Sequence, residues 1–225
     1  MTSLEGPYIK AQSGQTKQVI LLLHGYGADG NDLISLGETL KMVFSDADFI
    51  APHAPFMCQV NPFGREWFDL RDWEASLFED QEYLLQMFDR TKSARSILNQ
   101  FIDEVLAENN LQESNLAYLG FSQGSMMALA TALNRTNPCA GVLSYSGGFV
   151  CRDKSYVKSR PPIYLVHGED DEVIQYQAME KTAQFLQSVS IHPQTLLCEH
   201  TPHSISQEGL EAGARFLKAC FAQAS

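Results

Sequence analysis

The sequence lacks any long apolar run. None of its uninterrupted apolar stretches approaches the roughly 20 residues that a helix needs to cross a bilayer. The first ten residues also lack the basic and then apolar order of a signal peptide. We therefore expect a cytoplasmic protein with no transmembrane segment.

Basic residues are scarce. The chain of 225 residues has 16 Lys and Arg against 27 Asp and Glu, which gives a formal net charge of −11. A nucleic-acid partner requires clustered Lys and Arg that neutralise phosphates. The charge balance argues against nucleic-acid binding.

The sequence has few cysteines, and their spacing shows no paired motif. There are five, scattered along the chain, with no C-x-x-C pair and no His at ligand spacing. The histidine spacings of common zinc sites, H-x-x-x-H and H-E-x-x-H, are also absent. We predict free thiols, no metal site and no cofactor.

What the sequence does contain is a regular alternation of strand-like and helix-like segments. This pattern predicts one α/β domain over residues 1–225, with a mostly parallel central sheet flanked by helices. The predicted strands are 19–23, 48–51, 116–119, 141–145, 163–166 and 194–198. The predicted helices cover 31–44, 79–109, 175–189 and 206–222.

A G-x-S-x-G pentapeptide, residues 120–124, is centred on Ser122. Alone it is weak evidence, because such a pentapeptide also arises by chance. Here it follows a predicted strand and precedes a helix-forming stretch, the context of a sharp turn that exposes a nucleophilic serine. The start of the helix would also favour a developing oxyanion. Ser122 is therefore a candidate nucleophile.

A serine hydroxyl needs a base to accept its proton at neutral pH. Carboxylates at positions 169–171 follow one predicted strand, and His200 and His203 follow the next. The chain order of serine, acid and histidine is that of α/β hydrolases. Taken singly, each group fits an ordinary surface loop, but their joint occurrence in this order indicates a catalytic triad.

Five motifs follow one another along the chain: Leu23–Gly27, Trp67–Asp69, Gly120–Gly124, His167–Asp171 and His203–Ser204. Together they resemble the phospholipase/carboxylesterase family of α/β hydrolases, which includes bacterial carboxylesterases and acyl-protein thioesterases. The resemblance extends from Val19 to the last predicted helix. It implies an α/β-hydrolase fold with no large cap domain, and a serine carboxylesterase that hydrolyses esters, thioesters or lysophospholipids through an acyl-enzyme.

The resemblance also implies the partners of Ser122. It assigns the acid to Asp171, with Asp170 as the alternative. It assigns the base to His203, although His200 stands where the family often has a small residue.

The same resemblance assigns the oxyanion hole to the backbone N–H groups of Tyr26 and Gln123. Glycines around Tyr26 would let its loop turn an amide inward, although any glycine-rich turn would look the same. A phosphate-binding loop is excluded for this segment because the Lys-Ser/Thr ending is missing.

Aromatic residues are concentrated between positions 55 and 73. We predict that Phe63, Trp67 and Phe68 line an acyl groove near Ser122, although packing of a long loop against the sheet fits equally well. The expected substrate is a small or lipid-like acyl ester with a short-to-medium chain. Exposed Met and aromatic residues near the site also make a homodimer an open possibility.

Two other functions remain compatible with these residues. A catalytically silent module could bind acyl or lipid groups, and an acyl-protein thioesterase, acyltransferase or peptidase could use the same Ser122. The complete triad argues against the silent module.

Overall fold

The computed structural model describes residues 4–72, 80–151 and 153–224. Its main sheet has seven strands in the order β1-β3-β2-β6-β7-β8-β9, and β4 pairs with β5 in a separate hairpin. The strands are β1 (Tyr8–Ile9), β2 (Gln18–Leu23), β3 (Ala47–Ile50), β4 (Phe56–Met57), β5 (Arg65–Glu66), β6 (Leu116–Phe121), β7 (Gly141–Tyr145), β8 (Ile163–Gly168) and β9 (Gln194–Cys198). The α-helices are α1 (Gly30–Leu40), α2 (Gln81–Arg90), α3 (Lys92–Glu108), α4 (Gln123–Ala132), α5 (Gln177–Ser188) and α6 (Gln207–Ala224).

The central strands of this sheet are apolar and buried on both faces. Residues 19–23 of β2 and 116–120 of β6 are all buried, as a parallel sheet with helices on both sides requires. One core lies between the sheet and helices α2 to α5, and a second lies between the sheet and helices α1 and α6. Among the described strands of the main sheet, β1 alone runs antiparallel, and it pairs with β3 at one edge.

The parallel register brings the carboxyl ends of the central strands to one edge of the sheet. Leu23 pairs with Gly120, and Phe121 pairs with Tyr145. Gly168, at the end of β8, pairs with Cys198 of β9. The loops that follow β2, β6, β8 and β9 therefore lie close together, as the triad hypothesis requires.

The mostly parallel α/β architecture is confirmed, but one predicted helix was wrong. The helix predicted over 79–109 is two helices, α2 and α3, that meet at Thr91; residue 79 lies outside the described residues. The Thr91 hydroxyl donates to the carbonyl of Phe88 at 2.6 Å, and Nε of Arg95 donates to that hydroxyl at 2.8 Å. A side chain that bonds to the backbone in this way competes with the helical pattern.

Smaller corrections concern the end of one helix and three short strands. The helix predicted over 31–44 ends at Leu40, and β1 and the β4–β5 hairpin were not predicted. All five cysteines are buried, and free thiols stay a prediction. None of the described helices is both long enough and apolar enough to cross a membrane.

Candidate active site

Ser122 occupies the turn between β6 and α4. Its backbone has φ 53° and ψ −120°, a conformation that L residues rarely adopt. The amide of Ser122 donates to the carbonyl of Tyr145 at 2.9 Å, which anchors the turn to the end of β7. Strain of this kind persists only where the surrounding structure enforces it, and it holds the hydroxyl at the edge of the sheet.

The glycines on both sides of Ser122 permit close backbone packing. A Cβ on Gly124 would overlap the carbonyl oxygen of Leu23 in β2. A Cβ on Gly120 would lie 2.5 Å from the carbonyl oxygen of Gly124. The pentapeptide can therefore turn this sharply only with glycine at both positions.

His203 bridges Ser122 and Asp171. Its Nε2 lies 3.0 Å from Oγ of Ser122, and its Nδ1 lies 2.7 Å from Oδ2 of Asp171. An ionised carboxylate only accepts hydrogen bonds, so Nδ1 carries the proton and Nε2 is free to accept the serine proton. The ring of Phe121 packs against the imidazole with centroids 4.9 Å apart.

Asp171 lies in the loop between β8 and α5, with a fully buried side chain. Its Oδ1 accepts hydrogen bonds from the amides of Val173 and Ile174, each at 2.9 Å. Burial alone would raise the pKa of this carboxyl, but hydrogen bonds from His167, His203 and the Ile174 amide outweigh it. The pKa of Asp171 is therefore held well below its usual value, and the group is ionised.

The alternative acid and base lie outside this arrangement. Asp170 and His200 have side chains 60% and 90% exposed, and the closest approach of their charged atoms is 3.9 Å. Among the described residues, neither is hydrogen-bonded to Ser122 or to His203. The geometry brings together Ser122, His203 and Asp171.

The two predicted oxyanion donors belong to the residue after Ser122 and to the residue after Gly25. Gln123 is the first residue of α4, where a helix leaves the amide without an internal acceptor. The loop of Tyr26 follows β2, and a Cβ on Gly25 would lie 3.4 Å from Cβ of Ser122. Within the described ranges, the amide of Gly27 donates to another backbone carbonyl, whereas that of Tyr26 has no such bond.

Trp67 and Phe68 do not line a groove, which corrects that prediction. Their exposed fractions are 0% and 2%, so neither side chain offers surface to a substrate. The alternative of packing against the sheet is what the structure shows, because both belong to the hydrophobic core. The number of aromatic residues alone could not distinguish an acyl groove from packing in the core, since both need the same residues.

Phe63 lies on the β4–β5 loop and is 92% exposed. The side chain of Asn61 in this loop donates to the carbonyl of Gly27 at 2.8 Å, which ties the loop to the segment of Tyr26. Met57 and Val60 are also exposed. Contact of Phe63 with a substrate stays a prediction, and Trp73 lies outside the described residues.

Two histidines that precede glycines at strand ends, His24 and His167, form hydrogen bonds with loop backbone. His24 Nδ1 donates to the carbonyl of Gly25 at 2.8 Å, and its Nε2 accepts from the amide of Ala54 at 3.0 Å. Burial lowers the pKa of His24. His167 Nε2 lies 2.7 Å from the carbonyl of Ile174.

Two contacts of the site were missed by the sequence reasoning. His167 also approaches the carboxylate of Asp171, and the Gln123 side chain bonds to the Trp67–Phe68 backbone. The motifs contained all five residues, but nothing in the spacing indicated these side-chain contacts. In the part of the chain that the structure describes, no three His, Cys, Asp or Glu side chains form a metal-binding group.

Comparison with known proteins gives consistent matches over nearly the whole chain. A family model described as Phospholipase/Carboxylesterase matches residues 4–221. Acyl-protein thioesterase 1 of Saccharomyces cerevisiae is 26% identical over 230 residues, covering 96% of this chain and 98% of the relative. The crystal structure of esterase PE8 is 34% identical with a TM-score of 0.88, covering 96% of this chain and 99% of that one. The structure of SOBER1 from Arabidopsis thaliana is 25% identical with a TM-score of 0.75, covering 90% and 98%.

Proposed function

Because this chain belongs to the phospholipase/carboxylesterase family of α/β hydrolases, we propose that Ser122, His203 and Asp171 are its catalytic triad. The chain is a serine hydrolase that acts on esters or thioesters. The observation that carries the proposal is the continuous pair of hydrogen bonds from Ser122 through His203 to Asp171. This is the arrangement in which a serine can become a nucleophile at neutral pH.

Acylation begins when Nε2 of His203 accepts the proton of Ser122. The serine oxygen forms a bond to the acyl carbon, and the carbonyl electron pair moves onto the carbonyl oxygen. The amides of Tyr26 and Gln123 stabilise that oxyanion by hydrogen bonds. His203 then donates its proton to the departing alkoxide or thiolate, while ionised Asp171 stabilises the imidazolium.

Deacylation uses the same groups with water as the nucleophile. His203 accepts a proton from water, the hydroxide adds to the acyl-serine carbonyl, and the oxyanion occupies the same two amides. Collapse of this intermediate breaks the bond to Ser122, which recovers its proton from His203. The products are a carboxylic acid and the alcohol or thiol released earlier.

The acyl chain is proposed to lie along the exposed apolar side chains of the β4–β5 loop. Phe63 is the largest of them, Val60 lies on the same loop, and Met57 lies in β4 directly before it. This loop is short and open, which favours short-to-medium acyl chains. A p-nitrophenyl ester series from acetate to palmitate tests this, and a maximum at the longest chains would contradict it.

Other properties belong to the same proposal. We expect a cytoplasmic enzyme, and the net charge of −11 argues against a nucleic-acid partner. Exposed Met57 and Phe63 also support a homodimer. A molecular mass of a monomer, measured by light scattering at high protein concentration, would rule out the homodimer.

The triad is tested by steady-state hydrolysis of p-nitrophenyl butyrate and octanoate. In Ser122→Ala, Asp171→Asn and His203→Ala, we expect kcat to fall by about 10⁴ to 10⁶. The matched control is Asp170→Asn, a neighbouring exposed carboxylate, which should retain activity. An active Asp171→Asn with an inactive Asp170→Asn would transfer the acid role, and an undiminished Ser122→Ala would refute the mechanism.

A further inference from the structure

A second histidine contacts the carboxylate of Asp171. His167 is 1% exposed at the end of β8, and its Nε2 lies 2.7 Å from the carbonyl of Ile174 and 3.2 Å from Oδ2 of Asp171. A carbonyl oxygen can only accept, so Nε2 carries a hydrogen. Nδ1 is buried and has no hydrogen-bond partner among the described residues. The ring is therefore neutral, and its single N–H points between two oxygen acceptors.

This contact gives Oδ2 of Asp171 two imidazole neighbours. His203 Nδ1 approaches it at 2.7 Å and His167 Nε2 at 3.2 Å, while Oδ1 accepts two backbone amides. A carboxylate whose charge is shared among four donors attracts each of them less strongly. The His167 N–H therefore weakens the stabilisation that Asp171 gives to the protonated form of His203.

His167 also closes the loop that carries the acid. Its Nε2 donates to the carbonyl of Ile174, whose own amide donates to Oδ1 of Asp171. The end of β8 is thereby joined to the far end of the loop, and the carboxylate is held between them. His167 touches no substrate, so any effect on the reaction must pass through Asp171.

We propose that His167 is a positioning residue that acts through Asp171 to set the pH range in which His203 can accept the proton of Ser122. The inference rests on the proposed triad. The acid limb of the pH–rate profile reports protonation of the catalytic base. The buried imidazole of His167 therefore shifts the pH at which this limb lies.

Other charged groups on the elements around His203 and Asp171 are exposed to water, where their effect on His203 is screened. They come from the acid loop, from the turn after β9 and from the start of α6: Glu169, Asp170, Glu172, Glu199, His200 and Glu208. Glu66 is buried, but it lies beside Tyr26 and accepts a hydrogen bond from the amide of Gln59. Burial raises the pKa of the half-buried Tyr26 phenol, which is therefore neutral near pH 7. His167 is thus the buried neighbour of Asp171 through which the pH profile can be changed without altering the triad itself.

The test compares His167→Leu, which loses the donor, with His167→Gln, whose amide N–H can replace Nε2–H. The quantity measured is kcat/KM for p-nitrophenyl butyrate from pH 5 to 9.5. In His167→Leu we expect the acid limb to move up by about 0.5 to 1 pH unit, so that the rate at pH 6 falls about 3- to 10-fold. At pH 9 the rate should stay within about twofold of wild type, and His167→Gln should follow the wild-type profile at every pH.

A folded His167→Leu variant whose acid limb stays in place would overturn the proposal, as would a uniform loss at every pH. If this variant does not fold, ¹⁵N NMR spectra of the histidine-labelled wild-type protein provide the second test of the proposal. The proposal requires the hydrogen of His167 to lie on Nε2, beside the carbonyl of Ile174 and the carboxylate of Asp171, and a tautomer with the hydrogen on Nδ1 instead would overturn it. Undiminished activity in Ser122→Ala would instead refute the proposed function, so the two failures are distinguishable.

Discussion

The indole Nε1 of Trp67 donates a hydrogen bond to the main-chain oxygen of His24 at 3.0 Å. The amide of Trp67 donates to Oε1 of Gln123 at 2.9 Å, and Nε2 of Gln123 donates to the carbonyl of Phe68 at 2.6 Å. These three bonds connect the strand before Tyr26 to the residue after the nucleophile. The two amides of the proposed oxyanion hole are therefore joined through one buried dipeptide, which would fix their separation before substrate binds.

Replacing Trp67 by Phe tests this connection because it removes the indole N–H and keeps an aromatic ring. The buried carbonyl of His24 would lose its donor, which costs about 1–3 kcal/mol of folding stability. We expect kcat to fall about tenfold with KM within about twofold, because a looser oxyanion hole stabilises the transition state less and the bound substrate little. Steady-state kinetics with p-nitrophenyl butyrate measure both constants.

The matched control is Tyr145→Phe, which also deletes one buried donor. The Tyr145 hydroxyl donates to the carbonyl of Gly209 at 3.0 Å, in the core between the sheet and α6. This variant should lose comparable stability while its kcat stays near wild type. Equal losses of kcat in both variants would mean that Trp67 acts only through general stability.

The close packing of the nucleophile turn predicts a large difference between two glycines. In Gly124→Ala the new methyl group would overlap the backbone of Leu23, and backbone cannot move aside. In Gly25→Ala the nearest atoms lie at 3.4 Å, an ordinary contact. We expect Gly124→Ala to lose at least about 2 kcal/mol more free energy of unfolding than Gly25→Ala. Urea denaturation measures both, and equal losses would contradict the packing described for the turn.

The lowered pKa of Asp171 predicts how stability depends on pH. A carboxyl whose pKa is lower in the folded protein stabilises it at every pH above the usual value of 3.8. That contribution decreases as the pH falls from this value through the folded pKa. The difference in unfolding free energy between wild type and Asp171→Asn should therefore be constant near neutral pH and become smaller below about pH 4. Urea titrations between pH 7 and pH 2.5 check this, and a difference that grows at low pH would show the opposite sign.

Phe63 provides a test of the acyl-binding surface. Truncation to Ala removes an exposed ring that a longer chain could cover, so KM for the octanoate ester should rise about 3- to 10-fold while that for the acetate ester stays unchanged. Met42 is 72% exposed just beyond α1, at the opposite edge of the sheet, and Met42→Ala is the control. A Phe63→Ala variant with unchanged KM for both esters would exclude this surface.

Much of this architecture could be predicted because its signals are local in the sequence. The buried runs of β2 and β6 are continuous apolar segments, and the order of Ser122, Asp171 and His203 follows the order of their strands. The parallel register then brings those positions to one edge. Periodicity and chain order were sufficient for this part.

The remainder depends on contacts between distant segments. The division of the long helix at Thr91 involves Arg95, which also donates to the hydroxyl of Tyr156, 61 residues away. No glycine or proline marks that division, and the apolar stripe continues across it. The buried position of Trp67 likewise depends on partners at His24 and Gln123, which aromatic content could not reveal.

The proposed mechanism requires Ser122 to form a covalent acyl-enzyme. The most direct measurement is intact-protein mass spectrometry after reaction with a fluorophosphonate, followed by peptide mapping. We expect one adduct per chain, on Ser122, that disappears in Ser122→Ala and forms far more slowly in His203→Ala. An adduct on another residue, or labelling of Ser122→Ala at the wild-type rate, would contradict it.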